Sequence, residues 1–180
     1  MKVSQKTLGN VLIALSLFGF FIISLPFLLS HLPQSVKPIG NAYAIVIPKI
    51  NASSPIVVGV DPWDQNKYKS ALRYGVAQAK DTSLPGQRGM IYLFAHSSGN
   101  PWEILSTNVP FLRLDELKQG DLISLFAHGK KYEYKVVQKK IVSASDISVL
   151  TKNDVDGLIL QTCWPLWTDW KRLLVFAKPI

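Results

Sequence analysis

The chain has 180 residues, a formal net charge of +8 and a single cysteine, Cys163. One cysteine cannot form an intramolecular disulfide, so a disulfide-stapled fold is excluded and any chemical role for Cys163 uses a free thiol. The positive charge does not by itself indicate nucleic acid, because the sequence holds no RNP motif, zinc-finger spacing or basic amphipathic helix. The length fits one domain with an anchor.

An uncharged apolar segment, Val11–Ser30, lies near the N-terminus. As a helix it would be roughly 30 Å long, which matches the hydrocarbon core of a bilayer. Lys2 and Lys6 precede it and no charge follows until Lys37, so the positive-inside rule predicts a cytoplasmic N-terminus. The alternative is a cleavable secretory signal, but such signals have shorter apolar regions, and the candidate cleavage site at 42–44 lies far behind this one. We favour an uncleaved signal anchor.

The sequence thus predicts four parts: a cytoplasmic N-terminus (1–10), a transmembrane signal anchor (11–30), a stalk (31–43) and a folded extracellular domain (44–180). Nearly all charged residues lie beyond the anchor, and the domain keeps a basic surplus. That surplus is compatible with contacts to anionic membrane lipid or acidic wall polymers. It is equally compatible with solubility alone.

Beyond the stalk, short apolar runs alternate with turn residues, which is typical of β structure. The predicted strands are 44–47, 54–58, 89–95, 122–126, 132–138, 158–162 and 173–177. Short helices are predicted at 67–74 and 109–117, with one further turn at 146–151. Many short strands with few helices favour a closed barrel or a sandwich, and spacing alone does not choose between them.

Three side chains at the edges of predicted strands are candidates for chemistry. Cys163 closes an apolar run, and it is either a buried small hydrophobe or an accessible nucleophile. His96 follows the apolar run 90–95 and is either a proton shuttle or a solvated loop residue. Arg172 begins the last strand, where it either pairs with Asp169 on the surface or provides a fixed cation for an oxyanion.

Seven segments in this order resemble the sortases, the membrane-anchored cysteine transpeptidases of bacterial cell surfaces. They are Ile45–Ile50, Ser54–Gly59, Leu84–Gly89, Phe94-Ala95-His96, Leu117–Ile123, Tyr132–Val136, and Thr162-Cys163-Trp164-Pro165 followed by Arg172. The sequence departs from the family in two places: Ile159 replaces a threonine of the usual Thr-Leu-x-Thr-Cys, and the stretch 97–110 is long. The resemblance implies a mainly β fold, a closed sortase-type barrel of about eight strands with short helices, preceded by a transmembrane helix.

The resemblance also implies an activity, namely cleavage of a Leu-Pro-x-Thr-Gly-like sorting motif in secreted proteins. Cys163 would form a thioacyl intermediate, His96 would move protons, and Arg172 would hold the oxyanion or dock the substrate. Thr162, Trp164, Ala95 and Ser97 are the candidate substrate-binding residues. The implied partners are secreted proteins with a C-terminal sorting motif, and an amine of a peptidoglycan precursor or a pilin lysine. We expect no cofactor and no metal, calcium included.

Two other functions stay open from the sequence. One is a hydrolytic cysteine peptidase on the same fold, and the other is a catalytically silent, membrane-tethered binding module. The tryptophans at 164, 167 and 170 also have several interpretations: a wall of the substrate groove, a contact with the bilayer interface, or a core over the barrel end. The linker 139–157 is predicted to hold the loop that recognises the sorting motif.

Overall fold

The computed structural model describes residues 4–30, 43–97, 109–146 and 156–180. Helix α1 (Gln5–Ser30) has 26 residues and begins ahead of the predicted span, since helical structure continues into its polar flank. The stretch Gln5–Leu25 is long and apolar enough to cross a membrane. Large apolar side chains such as Phe18 and Phe20 are exposed along it, so an apolar surrounding would stabilise this helix.

The chain divides into two compact units, of which the first contains α1. The second unit is a closed barrel of eight strands. The strands are β1 (Ala44–Ile47), β2 (Ala52–Val60), β3 (Val76–Ala79), β4 (Met90–Phe94), β5 (Leu122–Ala127), β6 (Lys130–Ser143), β7 (Gly157–Trp164) and β8 (Lys171–Pro179). They follow one another around the barrel as β1-β2-β3-β4-β7-β8-β6-β5, and β5 pairs with β1 to close it. Two contacts, β2 with β3 and β4 with β7, are parallel. The predicted fold class is confirmed, and the closed barrel excludes the sandwich.

Among the strands of the described residues, β3 is the one that the sequence did not predict. Its four residues, Val-Ala-Gln-Ala, carry a single β-branched side chain, so they give little strand signal. The strand is specified by its neighbours, since it pairs with β2 on one side and β4 on the other. Helix α2 (Gln65–Tyr74) makes the crossover between β2 and β3, close to the helix predicted there. It is capped by Asp64, whose carboxylate accepts hydrogen bonds from the backbone N–H groups of Asn66 and Lys67.

One expectation for a loop was wrong, and the bounds of a second loop are corrected. The helix predicted at 109–117 is reduced to a 3-10 turn, Leu114–Glu116, because the every-third-residue spacing of its buried apolar side chains fits three residues per turn. Strand β6 continues to Ser143, and it pairs with β8 from Tyr134 to that residue. Residues 139–143 of the predicted linker therefore belong to the barrel wall. The helical turn predicted at 146–151 lies outside the described residues, apart from its first residue.

Side chains alternate across the barrel wall and form two apolar clusters. Along β4, Ile91 and Leu93 point into the barrel interior, whereas Tyr92 and Phe94 belong to the outer cluster beneath α2. Tyr68 of α2 stacks on Phe94, with ring centroids 5.1 Å apart. The same alternation in β7 decides which of its residues face outward, and hence where the cysteine is placed.

Candidate active site

Cys163 lies on the outer face of the barrel, near the end of β7. Leu158, Leu160 and Thr162 are all buried, and the strand period of two puts Cys163 on the opposite face, where it is half-buried. Its direct cross-strand partner on β8 is Arg172. Side chains of opposed residues leave the sheet on the same face with Cβ atoms about 5 Å apart. The barrel register therefore places the cation beside the thiol.

His96 reaches the same edge of the sheet from β4. Strands β4 and β7 run parallel, with Phe94 opposite Gln161, so their carboxyl ends meet at one edge. The Ala95 N–H extends this pairing by donating to the Gln161 carbonyl at 3.2 Å. His96, which is exposed, and Cys163 consequently line one pocket of about 460 Å³. The remaining lining residues are Ser97, Trp167, Thr168, Asp169 and Trp170.

Thr162 and Ala95 join the two strands behind this pocket. Thr162 is 3% exposed, and its Oγ1 donates to the Ala95 carbonyl at 2.9 Å. Ala95 is itself 4% exposed and packs in the barrel interior. Both residues hold the ends of β4 and β7 together one position before His96 and Cys163. This bond links the two strand ends that carry the pocket, and the substrate contact expected of Thr162 and Ala95 stays a prediction.

Ser97 and Trp164, the other two predicted substrate-binding residues, have different surroundings. The Ser97 side chain is buried in the pocket, and its Oγ has no hydrogen-bond partner within the described ranges. Trp164 packs against the interior cluster at the barrel end, as one of its three interpretations expected. Trp167 and Trp170 are instead 56% and 72% exposed, so the three tryptophans divide between a core role and a surface role.

Opposing electrostatic effects act on the Cys163 thiol. Burial raises its pKa, the Arg172 guanidinium lowers it, and the Asp169 carboxylate raises it further, with a net increase. Arg172 donates from Nη1 to the backbone carbonyls of Asp169 and Lys171, at 2.9 and 3.1 Å. Arg172 therefore does contact Asp169, as one interpretation of the sequence expected, but it bonds the backbone carbonyl of Asp169 and not the side-chain carboxylate.

Two tyrosines beside the pocket were not recognised from the sequence. The Tyr92 hydroxyl donates to Oε1 of Gln161, which adds a second link between β4 and β7. The pKa of Tyr68 is raised first by burial and then by the neighbouring Cys163, while Arg172 lowers it. Tyr68 therefore lies close to both groups. Only its place on the apolar side of α2 marked it in the sequence, and that pattern is shared by ordinary core residues.

No group of three or more histidine, cysteine, aspartate or glutamate side chains suited to hold a metal ion occurs within the described ranges. What those ranges do provide is a half-buried thiol with a cation opposite it, an imidazole in the same pocket, and a buried hydroxyl nearby. These groups together are suited to nucleophilic acyl transfer.

Comparisons with known proteins give the family of this chain. Residues 45–180 match the family model of the sortase domain. Sortase D of Bacillus subtilis is 34% identical over 152 residues, which cover 81% of this chain and 68% of the relative. The crystal structure of sortase C-1 from Actinomyces oris is 30% identical with a TM-score of 0.63, covering 79% of this chain and 75% of that one. Sortase C1 from Streptococcus agalactiae is 29% identical with a TM-score of 0.63, at coverages of 81% and 70%. The chain belongs to the sortase family.

Proposed function

We propose that this chain is a membrane-anchored cysteine transpeptidase that cleaves a sorting motif of secreted proteins and transfers the acyl group to an amine of the cell wall or of a pilin. Membership of the sortase family implies cell-wall transpeptidase activity. The observation that supports the assignment of residues is the pairing of Cys163 with Arg172 across the sheet, together with the pocket that Cys163 and His96 both line.

In the first half of the reaction, the Cys163 thiolate attacks the carbonyl carbon of the scissile peptide bond. A C–S bond forms, the carbonyl oxygen becomes an oxyanion, and collapse of this intermediate breaks the C–N bond. His96 gives a proton to the departing amine. The product is a thioacyl enzyme, which divides one difficult amide exchange into two easier steps.

Arg172 has two roles in this scheme. Its charge favours the thiolate against the cost of burial, and a guanidinium beside the sulfur is suited to stabilise the oxyanion that forms there. Ser97 contributes a buried hydroxyl at the same pocket, and we assign it a hydrogen bond to the peptide backbone of the substrate. The hydrogen bond between Thr162 and Ala95 fixes the relative position of the two strand ends that carry Cys163 and His96.

In the second half, an amine attacks the thioester and His96 accepts its proton. We assign the sorting motif to the Leu-Pro-x-Thr-Gly type on the resemblance of the seven sequence segments to the family. Helix α1 fits a membrane anchor, and we propose that it leaves residues 1–10 in the cytoplasm and presents the barrel at the outer surface of a bacterial membrane. Residues 31–43 are then the connecting stalk.

A ligation assay tests this function. The full chain in detergent is incubated with a Leu-Pro-x-Thr-Gly peptide and a primary amine, and the products are identified by mass spectrometry. We expect an amine-ligated peptide that is lost in Cys163→Ala and His96→Ala. His128→Asn is the matched control, since His128 lies in the β5–β6 turn at φ 52°, a conformation that asparagine tolerates. Cleavage without ligation would indicate the hydrolytic peptidase, and no turnover of any such peptide would contradict the proposal.

A further inference from the structure

Positive charge is concentrated on two paired strands of the barrel, β6 and β8. Together they hold eight of the chain's 20 lysines and arginines but only one of its 12 acidic residues, Glu133. The Glu133 carboxylate is already engaged, since it bridges to Nζ of Lys131 at 2.6 Å. The proposed reaction uses only Arg172 among these cations, so the others have no role in it.

Two of the lysines are directly opposed across the strands. Val136 and Ala177 are paired and both belong to the interior cluster, so the adjacent pair, Lys135 and Lys178, leaves the sheet on the outer face. Both side chains are exposed, and neither forms an ion pair within the described ranges. Like charges that face each other in this way weaken strand pairing. The pair therefore does not serve the fold, which favours an anionic partner outside the chain.

Two further lysines of β6 extend this outer face. Lys140 is opposite Leu174, which belongs to the outer cluster, and Lys131 precedes Lys135 by four residues, which returns to the same face of a strand. The distance along β6 from Lys131 to Lys140 is about 30 Å. All of these lysines are exposed. We call Lys131, Lys135, Lys140 and Lys178 the lysine row.

The row begins beside a second pocket, of about 400 Å³, which Lys131 lines together with Arg88 and Asp156. This pocket lies where β4 and β7 begin, whereas Cys163 is near the end of β7. Asp156 accepts a hydrogen bond from the Gly89 N–H at 2.7 Å. Arg88 is exposed and has no ion-pair partner in the part of the chain that the structure describes. A guanidinium can bind one phosphate through two parallel hydrogen bonds.

We propose that the lysine row and Arg88 bind a linear polymer whose units are joined by phosphodiester groups. A row about 30 Å long contacts several phosphates of one polymer at once, and each contact releases counterions, so that weak single contacts add up to specific binding. A membrane surface fits this face less well, because interfacial contacts place tryptophan beside the cations and neither β6 nor β8 contains one. The inference goes beyond the proposed reaction, since it involves no acyl transfer.

A binding measurement on the full chain in uncharged detergent tests this proposal. The probe is a fluorescently labelled oligomer of glycerol phosphate, and its affinity is measured by anisotropy over a series of salt concentrations. For Lys135→Gln/Lys178→Gln we expect the affinity to fall about tenfold or more, and the slope of log affinity against log salt to decrease by about one to two. Arg88→Gln should lower the affinity about fivefold.

The matched control is Lys69→Gln/Arg73→Gln. It removes two positive charges from exposed positions of α2, which packs on β2 and β3 and not on β6. Affinity and salt slope should stay at the values of the unaltered chain. Equal losses in the two double variants would show that only net charge matters, and an unchanged affinity in Lys135→Gln/Lys178→Gln would show that the row does not bind the oligomer. Either result would overturn the inference.

Two competitors distinguish the sources of phosphate. Inorganic phosphate should displace the oligomer far less well at the same phosphate concentration, because a single ion cannot contact several cations. Equal displacement would overturn the polymer and leave a site for one phosphate. Micelles of phosphatidylglycerol that bind through Lys135 and Lys178, without binding of the oligomer, would overturn the polymer in favour of a membrane contact. Since no readout uses Cys163, an inactive enzyme that binds the oligomer would contradict the transpeptidase proposal alone.

Discussion

Cys163 on β7 and Arg172 on β8 are directly opposed across the sheet. Opposed residues of paired strands leave the sheet on the same face, so both side chains lie on the outer face of the barrel. The two strands keep this register over seven residue pairs, from Leu158 opposite Ala177 to Trp164 opposite Lys171. The position of the cation relative to the thiol is therefore fixed by the barrel wall and does not depend on the loop alone.

The first prediction concerns the ionisation of this thiol. Arg172 lowers the Cys163 pKa and Asp169 raises it, so Arg172→Gln should shift the pKa upward and Asp169→Asn should shift it downward. Because only the thiolate is alkylated, the rate of reaction with iodoacetamide rises as pH passes through the pKa. The inflection of this profile should move to higher pH in the first variant and to lower pH in the second. Lys171→Gln is the control, and coincident profiles for all three variants would contradict the account.

Arg172 should also contribute to turnover beyond its effect on ionisation. Removing one stabiliser of a developing oxyanion commonly costs about 100-fold or more in kcat. We expect a loss of that order in Arg172→Gln even at a pH where the thiol is fully ionised. Full recovery of kcat at high pH in Arg172→Gln would contradict this, and would show that Arg172 acts only by lowering the pKa of the Cys163 thiol.

The hydrogen bond between Thr162 and Ala95 should contribute to both stability and turnover, although it lies behind the pocket. Thr162→Val keeps the side-chain shape but leaves the buried Ala95 carbonyl without its donor, which should lower the free energy of unfolding by about 1–3 kcal/mol. Because this bond joins the strand ends before His96 and Cys163, kcat should fall as well. Thr162→Ser restores the donor and should recover most of both properties. Loss of kcat in Thr162→Ser equal to that in Thr162→Val would contradict the positioning role.

Gly157 at the start of β7 tests the close approach of β7 and β8. Its φ is +146°, and a Cβ there would lie 2.5 Å from the Ala177 carbonyl oxygen, so Gly157→Ala should force the two strands apart. Gly59 has a φ of +72° with no atom within 4 Å of such a Cβ. Gly59→Ala should therefore show backbone strain only, about 1–2 kcal/mol. In denaturant unfolding, Gly157→Ala should have a clearly lower free energy of unfolding than Gly59→Ala. Equal free energies of unfolding in the two variants would contradict the close packing of β7 against β8.

Tyr68 links α2 to the wall that carries the site. Tyr68→Phe retains the ring stacked on Phe94 and should keep nearly all of the stability. Tyr68→Ala removes the ring from the outer cluster and should cost about 2–4 kcal/mol in unfolding free energy. A larger loss in Tyr68→Phe than in Tyr68→Ala would show that the hydroxyl, and not the stacking, is the important part.

The sequence predicted the family and seven of the eight strands because local patterns and short motifs carry that information. It did not predict β3, whose alanines have no strand preference of their own, or the 3-10 turn at Leu114, where a spacing of three suits two kinds of helix. It named His96 and Cys163 from their strand ends, but their meeting in one pocket depends on parallel pairing of strands 67 residues apart. Local pattern contains nothing about such pairing.

The surroundings of Thr162 and Trp164 were harder to predict for a related reason. A threonine or tryptophan beside a nucleophile has the same local sequence whether it faces the substrate or the core. Only the strand period, counted from an observed register, places Thr162 and Trp164 toward the barrel interior. Tyr68 was missed because its proximity to Cys163 requires knowledge of where α2 packs.

The most direct test of the central claim is the mass of the enzyme itself during turnover. The full chain in detergent is mixed with a Leu-Pro-x-Thr-Gly peptide, quenched in acid, and measured intact and after digestion. The account predicts an added mass equal to the acyl part of the peptide, on the fragment containing Cys163, that disappears when an amine is added. An adduct elsewhere, or peptide turnover that persists in Cys163→Ala, would contradict it.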